Sequence, residues 1–323
     1  MRFPLLVASA LSALAGCASD PPTVFTPGRD AGTTPPPVTD GGLVGGGDGG
    51  VTPIPIRDAG PSSNCSEAAQ LVYVLSDRNE LYSFRPNLRQ FTRIGALRCP
   101  TAAAPNSMAI DRDAVAWVNY VESGLGDSAG AIYRVNTTDA SCTAAPPVRM
   151  PAGWFRLGMS FSTVSADDAR ETLFVAATGD PLAGGSPGLG SIDPSRGILN
   201  IIGSFSGAFR GQSAELTGTG DGRLFGFFTT SPVQVAQLDR ATGAVLESTP
   251  LPGVETPQAW AFSFWGGDFY LYTAPSALSP GRTTNVTRYR PSDGSIDPRY
   301  MTNIGFRIVG AGVSTCAPIA PPP

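Results

Sequence analysis

One short apolar run sits out of order, and that displacement constrains the fold of this chain more than any other feature. Three kinds of run recur in fixed order. The first carries small residues: Ser107–Ile110, Gly158–Phe161, Leu216–Thr219 and Ala259–Phe262. The second is rich in aromatics: Leu71–Leu75, Val115–Val118, Thr172–Val175, Leu224–Phe228 and Phe269–Tyr272. The third ends in a large apolar residue at Phe84, Val135, Ile192, Leu238 and Tyr289, spaced 51, 57, 46 and 51 apart. A period near about 50 residues with several strands per unit is the signature of a propeller blade. The small-residue run is missing before Leu71, and its fifth copy stands at the far end, Ile308–Val313. In a ring of blades the C-terminus can supply the innermost strand of the blade that the N-terminus began, which removes an exposed interblade edge. The expected fold is therefore all-β, a five-bladed β-propeller over residues 65–317. Small side chains suit the innermost strand because the blades crowd at the axis.

The turns agree with that assignment. Asp221-Gly222 and Gly266-Gly267 separate the inner strand from the next, as two-residue hairpins require. Pro194–Gly197, Arg240–Gly243 and Pro291–Gly294 join the third and fourth strands, each with a Gly available for positive φ. Both turn sets fall on one face of the disc. The other face receives the longer connections, 120–129, 178–188 and 273–284, and rigid scaffolds commonly carry function on such loops.

Cysteines fit the same ring. Cys316 ends the displaced strand and Cys65 precedes the strand it must neighbour, so their pairing would staple the closure. Cys99 with Cys142 follows by elimination. The remaining cysteine, Cys17, belongs elsewhere. Arg2 and the apolar run Leu5–Leu14 read as a signal peptide over 1–16, too short to span a bilayer. Leu14-Ala15-Gly16-Cys17 at its end resembles the lipobox of bacterial lipoproteins. That resemblance implies cleavage before Cys17, lipidation of its thiol and amine, and anchoring in the bacterial cell envelope. Ala18, where Asp would favour inner-membrane retention, implies the outer membrane. Residues 17–64 read as a disordered tether: Pro and Gly supply 19 of the 42 residues from Asp20 to Pro61, leaving too little apolar surface to repay ordering. The tail 318–323 is expected to be disordered as well.

Composition narrows the chemistry. All 22 basic residues are Arg, and the chain has no Lys and no His. Ser-His-Asp and Cys-His catalysis, imidazole metal sites, Schiff bases and a P-loop lysine all lack their residue. The net charge of -4 and pI near 4.9 argue against a nucleic-acid partner. No cofactor is expected, and the chain is expected to be a monomer.

Blade texture, clearest in Leu238-Asp239-Arg240-Ala241-Thr242-Gly243-Ala244-Val245, resembles the YVTN and quinoprotein-like propeller repeats over most of residues 70–316. The whole chain is similar to propeller lipoproteins of Gram-negative bacteria. The resemblance implies a fold and no activity. A non-catalytic binding or scaffolding module, with a protein or glycan on the loop-rich face, is the primary expectation. The alternative is a five-bladed glycoside hydrolase, which needs converging carboxylates in the central pocket. At the inner-strand starts stand Asn106, Arg156, Glu215, Gln258 and Arg307, only one of them an acid. Asp111 lies toward the other strand end, and the loop acids Glu122, Asp127, Asp180 and Glu255 are further candidates. Trp154 and Phe155, in an interblade loop, are the expected binding aromatics, whereas Trp260 and Trp265 are expected to pack between blades. Arg156 and Arg307 would favour an acidic ligand or pair with Glu215 or loop acids.

Overall fold

The computed structural model describes residues 65–123, 127–178, 184–276 and 281–322. The expected signal peptide and tether, with Cys17, and the candidate Asp180 lie outside the described residues. Among the described residues, twenty strands form five four-stranded antiparallel sheets. Blade 1 contains β1 (Val72–Ser76), β2 (Glu80–Arg85) and β3 (Gln90–Ala96). Blade 2 is β4 (Ala104–Ile110), β5 (Val115–Ser123), β6 (Asp127–Asn136) and β7 (Cys142–Ala144). Blade 3 is β8 (Leu157–Ser165), β9 (Asp168–Ala177), β10 (Leu189–Asp193) and β11 (Ile198–Gly203). Blade 4 is β12 (Ala214–Gly218), β13 (Leu224–Phe228), β14 (Gln234–Leu238) and β15 (Val245–Pro250). Blade 5 is β16 (Ala259–Trp265), β17 (Asp268–Ala274), β18 (Asn285–Arg290) and β19 (Ser295–Met301).

The displaced run is β20 (Ile308–Val313), and it completes blade 1 in the order β20-β1-β2-β3. Val72 faces Val313 and Val74 faces Ala311 in an antiparallel ladder, so the first and last strands of the propeller close the ring. Cys65–Cys316 fastens that junction, and Cys99–Cys142 ties the lead-in of blade 2 to its short outer strand.

Small residues on the inner strands are a steric requirement. A Cβ on Gly158 would lie 2.1 Å from the Ala214 carbonyl of the next blade, and one on Gly218 would lie 2.1 Å from the Phe161 carbonyl. Outside that axis the apolar residues gather in clusters between consecutive blades. Tyr73 and Leu75 of β1 pack with Met108, Val118 and Tyr120 of blade 2, while Val72 and Val74 pack with Tyr270 and Tyr272 of blade 5. Strand alternation sends successive side chains to opposite faces, so one strand serves two interblade clusters.

Two expectations change. The connection 120–129 is largely strand: β5 and β6 extend into one hairpin, with Tyr120 opposite Ala131 and Ser123 opposite Asp127. The apolar alternation runs on through Val121, and the long ladder follows it. The C-terminal tail, expected to be disordered, is docked over 318–322. The Gly266 N–H donates to the Pro318 carbonyl at 2.7 Å, and Ile319 packs against the cluster between blades 4 and 5.

Candidate functional site

Inner-strand starts converge at one mouth of the central channel, as the repeat order predicts, and there they build a polar frame. Ser107 Oγ donates to Glu215 Oε2 at 2.8 Å. Ser107 belongs to β4 and Glu215 to β12, so this bond crosses the channel between blades that share no seam. Burial drives the Glu215 carboxyl well above the ordinary carboxylate range, against the opposing pull of the Ser107 hydrogen bond and the Arg156 charge.

A second chain of bonds runs beside it. Arg156 donates from Nε and Nη2 to both oxygens of Asp127 at 2.9 Å, and from Nη1 to Asn106 Oδ1 at 2.7 Å. Asn106 Nδ2 donates to Asn119 Oδ1 at 3.0 Å and to the Leu157 carbonyl at 2.8 Å. The buried Asn119 amide then serves backbone, donating to the Phe155 carbonyl and accepting from the Leu157 N–H. The extended β5–β6 hairpin is thereby clamped to the start of β8. A bidentate Arg–carboxylate pair fixes geometry as well as charge. Of the two partners proposed from sequence for Arg156, a loop acid supplies the hydrogen-bonded ion pair.

The other candidates divide. Gln258 is exposed, and its backbone N–H bonds the Ala274 carbonyl. Arg307 donates to the Pro275 carbonyl. Glu122 is exposed, and Glu255 pairs with Arg282 at 3.1 Å. Trp154 corrects the sequence expectation: it is 2% exposed and belongs to the cluster between blades 2 and 3. The interblade connection 145–156 crosses that seam on its way back to the axis, and the indole fills it. Phe155 is half-buried. Trp265 packs as expected, its indole N–H reaching the Gln70 carbonyl at 2.8 Å. Trp260 is half-buried, with its indole nitrogen buried and without a hydrogen-bond partner.

At the opposite mouth the structure shows a cluster that sequence reading missed. Thr315, next to Cys316, donates to Glu171 Oε1 at 2.5 Å, and the Arg112 backbone N–H donates to Oε2 at 3.0 Å. Arg112 Nη1 donates to Thr315 Oγ1 and Nη2 contacts Cys65 Sγ. Desolvation pushes Glu171 up to about 7, although both hydrogen bonds oppose the shift. Its alternation in β9 gave no warning, because the partners come from blades 1 and 2. Asp111 caps its own turn, accepting from the Val115 N–H and from the Trp117 indole at 2.9 Å. Among the described residues no group of three or more Cys, Asp or Glu is placed to hold a metal ion.

No family model matches the chain, and no curated protein matches it. Solved structures similar to it include a Bacteroides caccae protein of unknown function, 13% identical, covering 76% of this chain and 98% of that one, with a TM-score of 0.34. A Xanthomonas campestris gluconolactonase is 17% identical over 62% of this chain and 68% of its own, at a TM-score of 0.36. The calcium-binding protein regucalcin from Agrobacterium tumefaciens is 14% identical over 67% and 68%, at a TM-score of 0.39. At these values the likenesses assign no activity to this chain.

Proposed function

We propose that this chain is a lipid-anchored envelope protein whose propeller serves as a non-catalytic binding or scaffolding module, presented on a tether at the outer membrane. The observation that supports binding over catalysis is the state of the polar frame. Asp127 is committed to Arg156, and Glu215 is held by Ser107 inside the channel. Such a frame stiffens the hairpin face it supports. Recognition of a protein or glycan gains from that preorganisation. Capture from envelope extracts by the wild-type propeller, lost when the 120–129 hairpin tip is trimmed, is the expected result. Equal capture by the trimmed protein would refute the assignment of the hairpin face. For the anchor, Cys17→Ala should abolish labelling by a radiolabelled fatty acid.

One observation favours a hydrolytic reading: burial raises the proton affinity of the Glu215 carboxyl, the kind of environment a general acid uses. A glycan array treated with wild-type protein and with Glu215→Gln separates the two. Product release by the wild type alone establishes the hydrolase, and binding by both proteins without turnover supports the module.

A further inference from the structure

We propose that the seam between blades 5 and 1, on the face of the tight turns, is a binding site for a small cyclic carboxylate. A pocket of about 380 Å³ opens there, within the size range of small-molecule sites. Its walls include Trp265, Tyr270 and Tyr300, and the docked tail closes one side with Pro321 and Pro322.

Hydrogen-bond donors left over in this pocket indicate the ligand. Arg89 holds its guanidinium carbon over the Tyr300 ring, 4.4 Å from the centroid, and makes no ion pair or side-chain hydrogen bond among the described residues. The side-chain amide of Asn87 and the hydroxyl of Tyr270 likewise have no hydrogen-bond partner there. The remaining charges are already matched. Arg288 bonds Asp268, and Arg290 reaches both Asp268 and Asp293. Arg89 is thus the uncommitted cation among the described residues that line this pocket. The cation–π contact holds its head group over the ring, and a guanidinium fork fits the two oxygens of a carboxylate. The contrast with the channel mouth is direct, since Arg156 there is saturated by Asp127 and Asn106. Aromatic and proline walls suit a ring, and the Asn87 and Tyr270 donors suit the acceptor-rich end of the ligand. An inorganic phosphate would engage Arg89 but leave the walls without contact.

Benzoate, its neutral isostere benzamide, and inorganic phosphate are suitable probes for titration calorimetry on the whole propeller, with the change in tryptophan fluorescence that is lost in Trp265→Phe as a second readout. Benzoate should bind at millimolar Kd or tighter, and Arg89→Gln, at an exposed position, should weaken it about tenfold, roughly the loss of one charge-assisted contact. Tyr270→Phe should weaken it by a smaller factor while leaving the fold intact. No binding of benzoate, equal binding of benzamide, or an unchanged Kd in Arg89→Gln would each overturn the proposal. Phosphate binding as tightly as benzoate would overturn the assignment of a cyclic ligand. The site lies away from the 120–129 hairpin, so none of these outcomes bears on the module reading above.

Discussion

Ser107 and Glu215 meet across the central channel at 2.8 Å, joining β4 to β12 where the two blades have no seam in common. A ring of five sheets held only by neighbouring seams would leave its axis to side-chain packing. This bond adds a strut through the axis at one mouth, and Thr315 with Glu171 adds another at the opposite mouth. Both struts end on a carboxyl whose proton affinity is raised by burial, which makes ring stability depend on pH.

For Glu215 the sign is that of an acid with a raised folded value. Above its unfolded value, about 4.3, the unfolded chain has lost a proton that the folded chain keeps, so stability falls as pH rises. Glu215→Gln keeps a hydrogen-bond acceptor for Ser107 and removes the titration. Its unfolding free energy by urea denaturation should exceed that of the wild type at pH 8 and match it near pH 4. Ser107→Ala should cost about 1–3 kcal/mol by leaving the carboxyl without its donor.

Glu171 acts in a narrower window. Its value rises from 4.5 to about 7, so its contribution to stability should decline between those limits and level off above them. The decline is roughly 2–3 kcal/mol, somewhat below the full shift because the side chain is partly open to solvent. Glu171→Gln should make the decline between pH 4.5 and 7 shallower, leaving the slope that Glu215 contributes.

The two disulfides should differ in what they contribute. Cys65–Cys316 closes 251 residues and Cys99–Cys142 closes 43. Chain-entropy scaling gives about 5 kcal/mol for the first and about 4 for the second, as upper figures. The paired Cys65→Ser and Cys316→Ser variant should lower Tm more than the paired Cys99→Ser and Cys142→Ser variant. It should also speed amide hydrogen exchange selectively in Ile308–Val313, since the closing strand then has a free end. Uniform acceleration over all blades would contradict the staple.

Glycines separate crowding from backbone conformation. Gly158→Ala forces a methyl into the Ala214 carbonyl and should cost about 3 kcal/mol or more, as overpacking against rigid backbone does. Gly294 has φ of 72° in an open turn, with nothing within 4 Å of an added Cβ. Gly294→Ala should cost only the left-handed strain, about 1–2 kcal/mol. Thermal melts of the two variants should therefore be well separated.

The blade count, the order of strands, the closure by Ile308–Val313 and the Cys65–Cys316 partnership were all legible in the chain. They depend on information local in sequence: alternation of apolar residues, turn residues at set offsets, and one repeat out of place. The convergence of Asn106, Arg156 and Glu215 followed too, because inner-strand starts must meet at the axis. Only the tertiary structure decided what those groups do on meeting. Asp127 saturates Arg156 because the β5–β6 ladder runs longer than its turn signals suggested. Trp154 is buried because the interblade loop that carries it crosses a seam built by two blades at once. Glu171 draws its partners from residues 59 and 144 positions away, and Arg89 finds its ring in Tyr300 from the other end of the domain. Periodicity decides which face of a strand is apolar, but hydrogen-bond satisfaction and burial depend on which distant blades share a seam, and ring closure alone sets that.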